Sequence, residues 1–156
     1  MALVELTTFL DAKPDRVWHE LQRPQLLFHV AHPILQFTPV EPKVLDETWQ
    51  AREYLVAMRL CGLVPIGRQV VDISLPPQPG GTRAIRDNGR SAMIRRWDHL
   101  ITVASEGDGT RYTDRVEIEA GVLTPFIVLF AHWFYRHRQN RWRRLVARDF
   151  DYQSTG

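Results

Sequence analysis

The chain has one cysteine, Cys61, and only two lysines, Lys13 and Lys43, in 156 residues. A lone thiol forms no internal disulfide, and Met1-Ala2-Leu3-Val4-Glu5 has neither the basic start nor the apolar centre of a secretory signal. Together these absences predict a cytoplasmic, reducing setting. Long apolar runs are also missing. The longest nearly apolar stretch, Phe126 to Tyr135, contains His132 and falls well short of the roughly 20 residues of a membrane-spanning helix, so a soluble protein is expected. No repeat, low-complexity tract or long linker divides the sequence, which predicts one domain over 1–156 that buries roughly 70% of its unfolded surface. The net charge is +2. A sequence pI near 9.0 therefore reflects the high pKa of arginine and no large positive excess, and global charge gives no argument for nucleic acid.

What is present reads as strands enclosing helices. Leu3 to Leu10 alternates weakly and suits a first strand. Asp11-Ala12-Lys13-Pro14-Asp15 supplies a helix start, with Asp11 or Lys13 at the cap and Pro14 in the first turn. Val17, Trp18 and Leu21, then Leu26, Leu27 and Val30, repeat at helical spacing. Pro24 breaks this run into two pieces and Pro33 ends the second. Ile34 to Pro39, Glu47 to Leu60, Arg68 to Leu75 and Thr82 to Asn88 read as further strands, separated by a turn at Cys61 to Gly67 and a Pro/Gly loop at Pro76 to Gly81. A strand as long as Glu47 to Leu60 is expected to twist or bulge, which is how a sheet curls around something.

The most informative stretch is the last hairpin and the helix behind it. Ala92 to Glu106 and Thr110 to Ala120 read as two strands closing on Ser105-Glu106-Gly107-Asp108-Gly109, followed by a helix from Thr124 to Phe150. Alternation places Trp97, His99, Ile101 and Val103 on one face with Tyr112, Asp114, Val116 and Ile118. Closing the hairpin near Gly107 sets Val103 opposite Tyr112, Ile101 opposite Asp114 and His99 opposite Val116, which makes His99 and Asp114 diagonal neighbours. An Asp that orients a His is the core of general-base chemistry; the alternative is a buried polar pair, or Asp114 accepting from Arg138. The helix carries its apolar stripe through Ile127, Ala131, Phe134, Tyr135, Trp142 and Leu145, flanked by Phe130 and Val146. Its first half, with Phe126, Leu129 and Trp133 on the other faces, reads as buried or ligand-facing. Arg138 lies inside the stripe and needs to reach water or a carboxylate. The whole order of elements is an α+β layout with an antiparallel sheet.

Asp11-Ala12-x-Pro14-x-x-Val17-Trp18 resembles the strand-to-helix corner of the START-related helix-grip (SRPBCC) superfamily, which includes polyketide cyclases and pathogenesis-related allergens. Trp97-Asp98-His99, Gly109 to Val116, Thr124-Pro125, Tyr135-Arg136-His137-Arg138 and Trp142-Arg143-Arg144-Leu145 look like a bacterial branch of it. The resemblance covers nearly the whole chain. It implies a helix-grip fold, with a curved seven-stranded antiparallel sheet wrapped around the long C-terminal helix and a hydrophobic cavity between them. It implies no single reaction, because the superfamily mixes carriers, receptors and cyclases.

Read this way, the protein binds a small hydrophobic or amphipathic molecule of lipid, polyketide or aromatic type. The expected walls are Trp97, His99, Tyr112, Asp114, Phe130, Trp133 and Phe134, with Tyr54 and Arg52 as secondary candidates. Leu63, Val64 and Ile66, between Gly62 and Gly67, form an apolar tip that reads as a lid or as a loop packed on its own domain. Two other readings stand beside this one: a cyclase/dehydratase- or hydrolase-like enzyme using His99 and Asp114, and a module for an anionic membrane surface or a protein partner using the arginines from Arg136 to Arg148. No cofactor and no nucleic acid is expected. His29 and His32 stand three residues apart on a helix, a spacing that can serve zinc, but no third ligand is fixed and no metal is expected. Cys61 reads as a small buried hydrophobe.

Overall fold

The computed structural model describes residues 1–153, so the last three residues of the expected 1–156 domain lie outside the described residues. Seven antiparallel strands form one sheet: β1 (Ala2–Leu10), β2 (Leu35–Glu41), β3 (Glu53–Leu60), β4 (Val64–Ser74), β5 (Arg83–Ser91), β6 (Arg96–Glu106) and β7 (Gly109–Glu119), in the spatial order β1-β7-β6-β5-β4-β3-β2. Two helices of 8 residues each, α1 (Pro14–Leu21) and α2 (Pro24–Ala31), join the two outermost strands. A short 3-10 turn, Gly121–Leu123, leads into α3 (Thr124–Ala147). This is the helix-grip α+β architecture.

Local chemistry explains the boundaries. Pro14 and Pro24 sit in the first turns of α1 and α2, where a missing N–H costs nothing, and the capping position before Pro14 is Lys13. The β6–β7 hairpin closes through Gly107 and Asp108, with Gly107 at a φ of +56° that glycine adopts freely. Alternation then fixes the pairs Val103 with Tyr112, Ile101 with Asp114, His99 with Val116 and Trp97 with Ile118, as the sequence predicts.

Three expectations are corrected. The strand expected from Glu47 begins only at Glu53. Residues before it fold back over the helices: the Trp49 N–H donates to the Gln22 carbonyl at 2.7 Å, and the Gln50 N–H donates to Tyr54 Oη at 2.9 Å. These bonds replace ladder partners for that segment. Cys61 is exposed, held at a φ of +53° in the β3–β4 turn beside Gly62, because the turn projects from the sheet. The first half of α3 is also not buried all round: Phe126 and Leu129 are each 70% exposed and Trp133 is 56% exposed. Only Ala131, Phe134 and Tyr135 of that half are buried, on the face that meets β1, β7 and β2. A rod laid on a sheet buries one stripe, and its outer face stays wet whatever residues it carries.

The sheet does not pair evenly. Between β4 and β5 the ladder runs through Val70–Arg90 and resumes at Ile73–Asp87, skipping Val71 and Asp72. There the Asp72 N–H donates to the Asp87 carboxylate at 2.9 Å. A side chain thus takes the place of a backbone acceptor where the ladder is interrupted.

Candidate functional site

The polar centre of the concave face is built from β6, β7 and α3. His99 Nε2 lies 2.8 Å from Asp114 Oδ1, with both residues buried. Gln139 Nε2 donates to Asp114 Oδ2 at 3.0 Å and Tyr112 Oη donates to Oδ1 at 3.3 Å. Burial alone would raise the Asp114 carboxyl. The His99 hydrogen bond and the Arg138 charge outweigh it and hold the group below the usual carboxylate range. Burial also pushes the His99 imidazole below its ordinary value despite Asp114. A neutral ring facing an ionised carboxylate donates from Nε2, which leaves its lone pair on Nδ1.

Beside this network lies a cavity of about 90 Å³, open on one side. Its apolar walls come from every layer: Leu21, Leu26 and Leu27 on α1 and α2, Phe37 and Met58 on β2 and β3, Ile85 and Ile101 on β5 and β6, and Phe134 on α3. Trp49 closes one end. Polar atoms enter from Gln69, Asp87, Trp97, His99, Tyr135 and Arg138. Trp97 Nε1 donates to Tyr135 Oη at 3.0 Å, and the two rings stack at 6.1 Å. Asp87 is pushed up to about 7, chiefly by burial. It is partly exposed and belongs to the cavity lining.

The sequence was compared with known proteins. The family model for a domain of unknown function, DUF8410, matches residues 8–147. The chain belongs to the DUF8410 family. No curated protein matches the sequence. Solved structures resemble this DUF8410 chain in fold. A START superfamily protein from Mycobacterium smegmatis is 11% identical, with a TM-score of 0.60 over 94% of this chain and 97% of that one. The AHSA1 protein from Silicibacter pomeroyi is 13% identical, with a TM-score of 0.61 over 95% and 99%. A nucleoside-diphosphate sugar epimerase from Corynebacterium glutamicum is 15% identical, with a TM-score of 0.64 over 92% of this chain and 29% of its own.

In this DUF8410 member the expected wall residues divide into three groups. Trp97, His99 and Phe134 line the cavity. Tyr112 and Asp114 are buried directly behind His99 and act through it. Phe130, half-buried, stacks on Phe134 at 5.5 Å outside the lining, and Trp133 faces away from it. Tyr54 braces the wall from one layer out: its ring meets Trp49 edge-on at 4.9 Å and its hydroxyl donates to Asp46 at 2.7 Å. Arg52 is exposed and lies over Tyr54 at 4.9 Å, outside the cavity. Leu63 on the β3–β4 turn, and Val64 and Ile66, which belong to β4 where the sequence predicts a turn as far as Gly67, stand exposed and do not line it.

The carboxylate expected to accept from Arg138 does not do so. The acceptor sites of Asp114 are taken by His99, Gln139 and Tyr112. The arginine cluster is partly spent on the fold, since Arg141 donates to the His29 carbonyl and Arg143 to Thr8. His29 packs edge-on against Tyr152. Among the described residues no group of three or more His, Cys, Asp or Glu side chains is placed to hold a metal. No helix among them is long and apolar enough to cross a membrane. Asp87 and Tyr135 were missed as site residues. Alternation of Asp87 with Ile85 was the available signal for the first, and the place of Tyr135 one residue after Phe134 in the helix stripe was the signal for the second.

Proposed function

We propose that this protein reversibly binds one small apolar or amphipathic molecule in the cavity between the sheet and its three helices. The observation that carries this reading is the composition of that space: apolar walls from eight elements, with a few polar atoms gathered toward β4, β5, β6 and α3. Its volume of about 90 Å³ selects among the candidate guests. A cavity of about 150 Å³ takes up benzene, so a single ring or a short aliphatic body is the matching size once the open side is used. A long acyl chain or a polycyclic polyketide requires the walls to move apart. Native mass spectrometry of freshly purified protein, with extraction of what travels with it, tests the reading beside a Val71→Phe variant that fills the space from β4. A guest that is present, or a benzyl alcohol titration seen by tryptophan fluorescence, should be lost in Val71→Phe while circular dichroism stays unchanged. Equal behaviour of the two proteins refutes it.

A second reading rests on one contact. His99 lines the cavity and is oriented by Asp114 from behind, an arrangement suited to a base acting on a bound molecule in a cyclisation, dehydration or hydrolysis. Turnover that disappears in His99→Ala with guest affinity retained supports this second reading. Binding without any turnover leaves only the first.

A further inference from the structure

Among the described residues the buried carboxylates are each met by donors, whereas the most buried arginine is met only in part. Glu20 is met by Arg16, Arg23 and Tyr152. Asp98 is met by Arg86 and Arg96. Asp114 is met by three donors. Arg138 is 4% exposed, it lines the cavity, and its Nε has no hydrogen-bond partner among the described residues. Its guanidinium rests against the Tyr135 ring at 5.2 Å and the Phe134 ring at 5.9 Å. Burial alone would weaken its hold on the proton, yet Tyr112, Asp114 and Tyr135 raise it above the ordinary value. The group is therefore a buried cation that feels the Asp114 charge and is bonded by Tyr112, while its Nε–H is left without an acceptor at the cavity wall.

We infer that the guest is a compact organic acid, an apolar ring or short chain bearing one carboxylate, and that Arg138 receives the carboxylate. The inference rests on the cavity being a ligand site. A planar guanidinium offers parallel N–H donors that match a carboxylate. The free volume leaves room for little beyond that head and a body of ring size. A doubly charged phosphate would bring two negative charges beside Asp114 and Asp87 with one cation to meet them. Asp87 shares the lining, and in its protonated form it donates to the same carboxylate. Affinity then falls as pH rises through about 7. Besides the guest, the groups facing Asp87 are Asp72 on β4, Asp98 and His99 on β6, and Arg138 on α3.

Benzoate and benzamide have the same shape and differ in charge, which makes them the probes. Calorimetric titration of the wild-type chain is expected to show benzoate bound roughly tenfold or more tightly than benzamide, as for a hydrogen bond to a charged group. Arg138→Met, which keeps the apolar stem, should abolish that preference, with benzoate losing at least roughly tenfold more affinity than benzamide. If Arg138→Met does not fold, Arg138→Lys decides, because an ammonium lacks the fork and should cut the preference by roughly threefold or more. Equal wild-type affinity for the two probes, or a preference that survives both variants, overturns the inference. Benzamide binding without benzoate binding overturns the acid alone. Failure of both probes, with Val71→Phe no different from wild type, overturns the ligand site as well.

Discussion

Replacing Asp87 by Asn is expected to stabilise the fold by an amount that grows as pH rises from about 4 to about 7 and is complete above it. Burial raises this carboxyl to about 7; the Asp72 N–H bond opposes the rise, the Asp72 charge adds to it, and Arg138 again opposes it. In the unfolded chain the group returns to its ordinary 3.8. Between these two values the folded chain holds a proton that the unfolded chain has lost. The stability contributed by the protonated form is therefore complete below the lower value and is lost as pH rises through the upper one. A difference of this size corresponds to roughly 4 kcal/mol as a ceiling, and about 2 kcal/mol once relaxation and solvent in the cavity are allowed for. Asparagine keeps an oxygen to accept the Asp72 N–H, the bond that spans the gap between β4 and β5, but it cannot ionise. Urea denaturation of wild type and Asp87→Asn should agree within about 0.5 kcal/mol near pH 4, diverge through about pH 5 to 7, and favour the variant by about 2 kcal/mol near pH 8.5. A difference that does not change with pH, or a variant that is weaker at the higher pH, would refute the assignment of Asp87 as a neutral acid at the cavity wall.

Other expectations follow from packing. Asp114→Asn should lower stability by about 3 kcal/mol, since it uncouples a buried charge from Arg138 and presents an amide to the Gln139 donor; a loss under about 1 kcal/mol in urea would show that the network does not hold the site. Phe134→Ala should cost about 3–5 kcal/mol, while Trp133→Ala, one residue earlier, should change stability by about 0.5 kcal/mol or less. Similar melting shifts for the two would mean that α3 lies in another rotation. Gly109→Ala brings a methyl within 2.4 Å of Phe9 Cζ and 2.7 Å of the Leu10 carbonyl, and a loss of about 2 kcal/mol is expected; unchanged melting would place β1 farther from β7.

The parts of the site that could be read from the sequence are those set by short-range rules. A hairpin that closes on two residues leaves one register, and that register alone brings His99 to Asp114. The two prolines in the helical region divide α1 from α2 by backbone chemistry that no tertiary contact reverses. Elsewhere the deciding partners lie far along the chain. Alternation continues through Trp49 and Ala51 as if the strand began there, but the Trp49 N–H finds Gln22, and period-two pattern carries no trace of that bond. Phe126, Leu129 and Trp133 read as interior because of their type, whereas the rotation of α3 against β1 and β7 decides which side faces water. Asp87 stood in plain alternation with Ile85, yet its place across from His99 depends on the β5–β6 register. The longer connection between those strands hides that register.

The first strand sits at one rim of the sheet and pairs only with β7, so Ala2 meets Ile118 and Leu10 meets Thr110. During synthesis that strand leaves the ribosome more than a hundred residues ahead of its partner. It has no earlier hairpin to join. The nascent chain must carry an open, hydrogen-bond-hungry segment until the β6–β7 hairpin emerges, and folding is gated by that late arrival. A chain truncated before residue 110 would therefore leave the backbone groups of that rim without the partner strand that seals them.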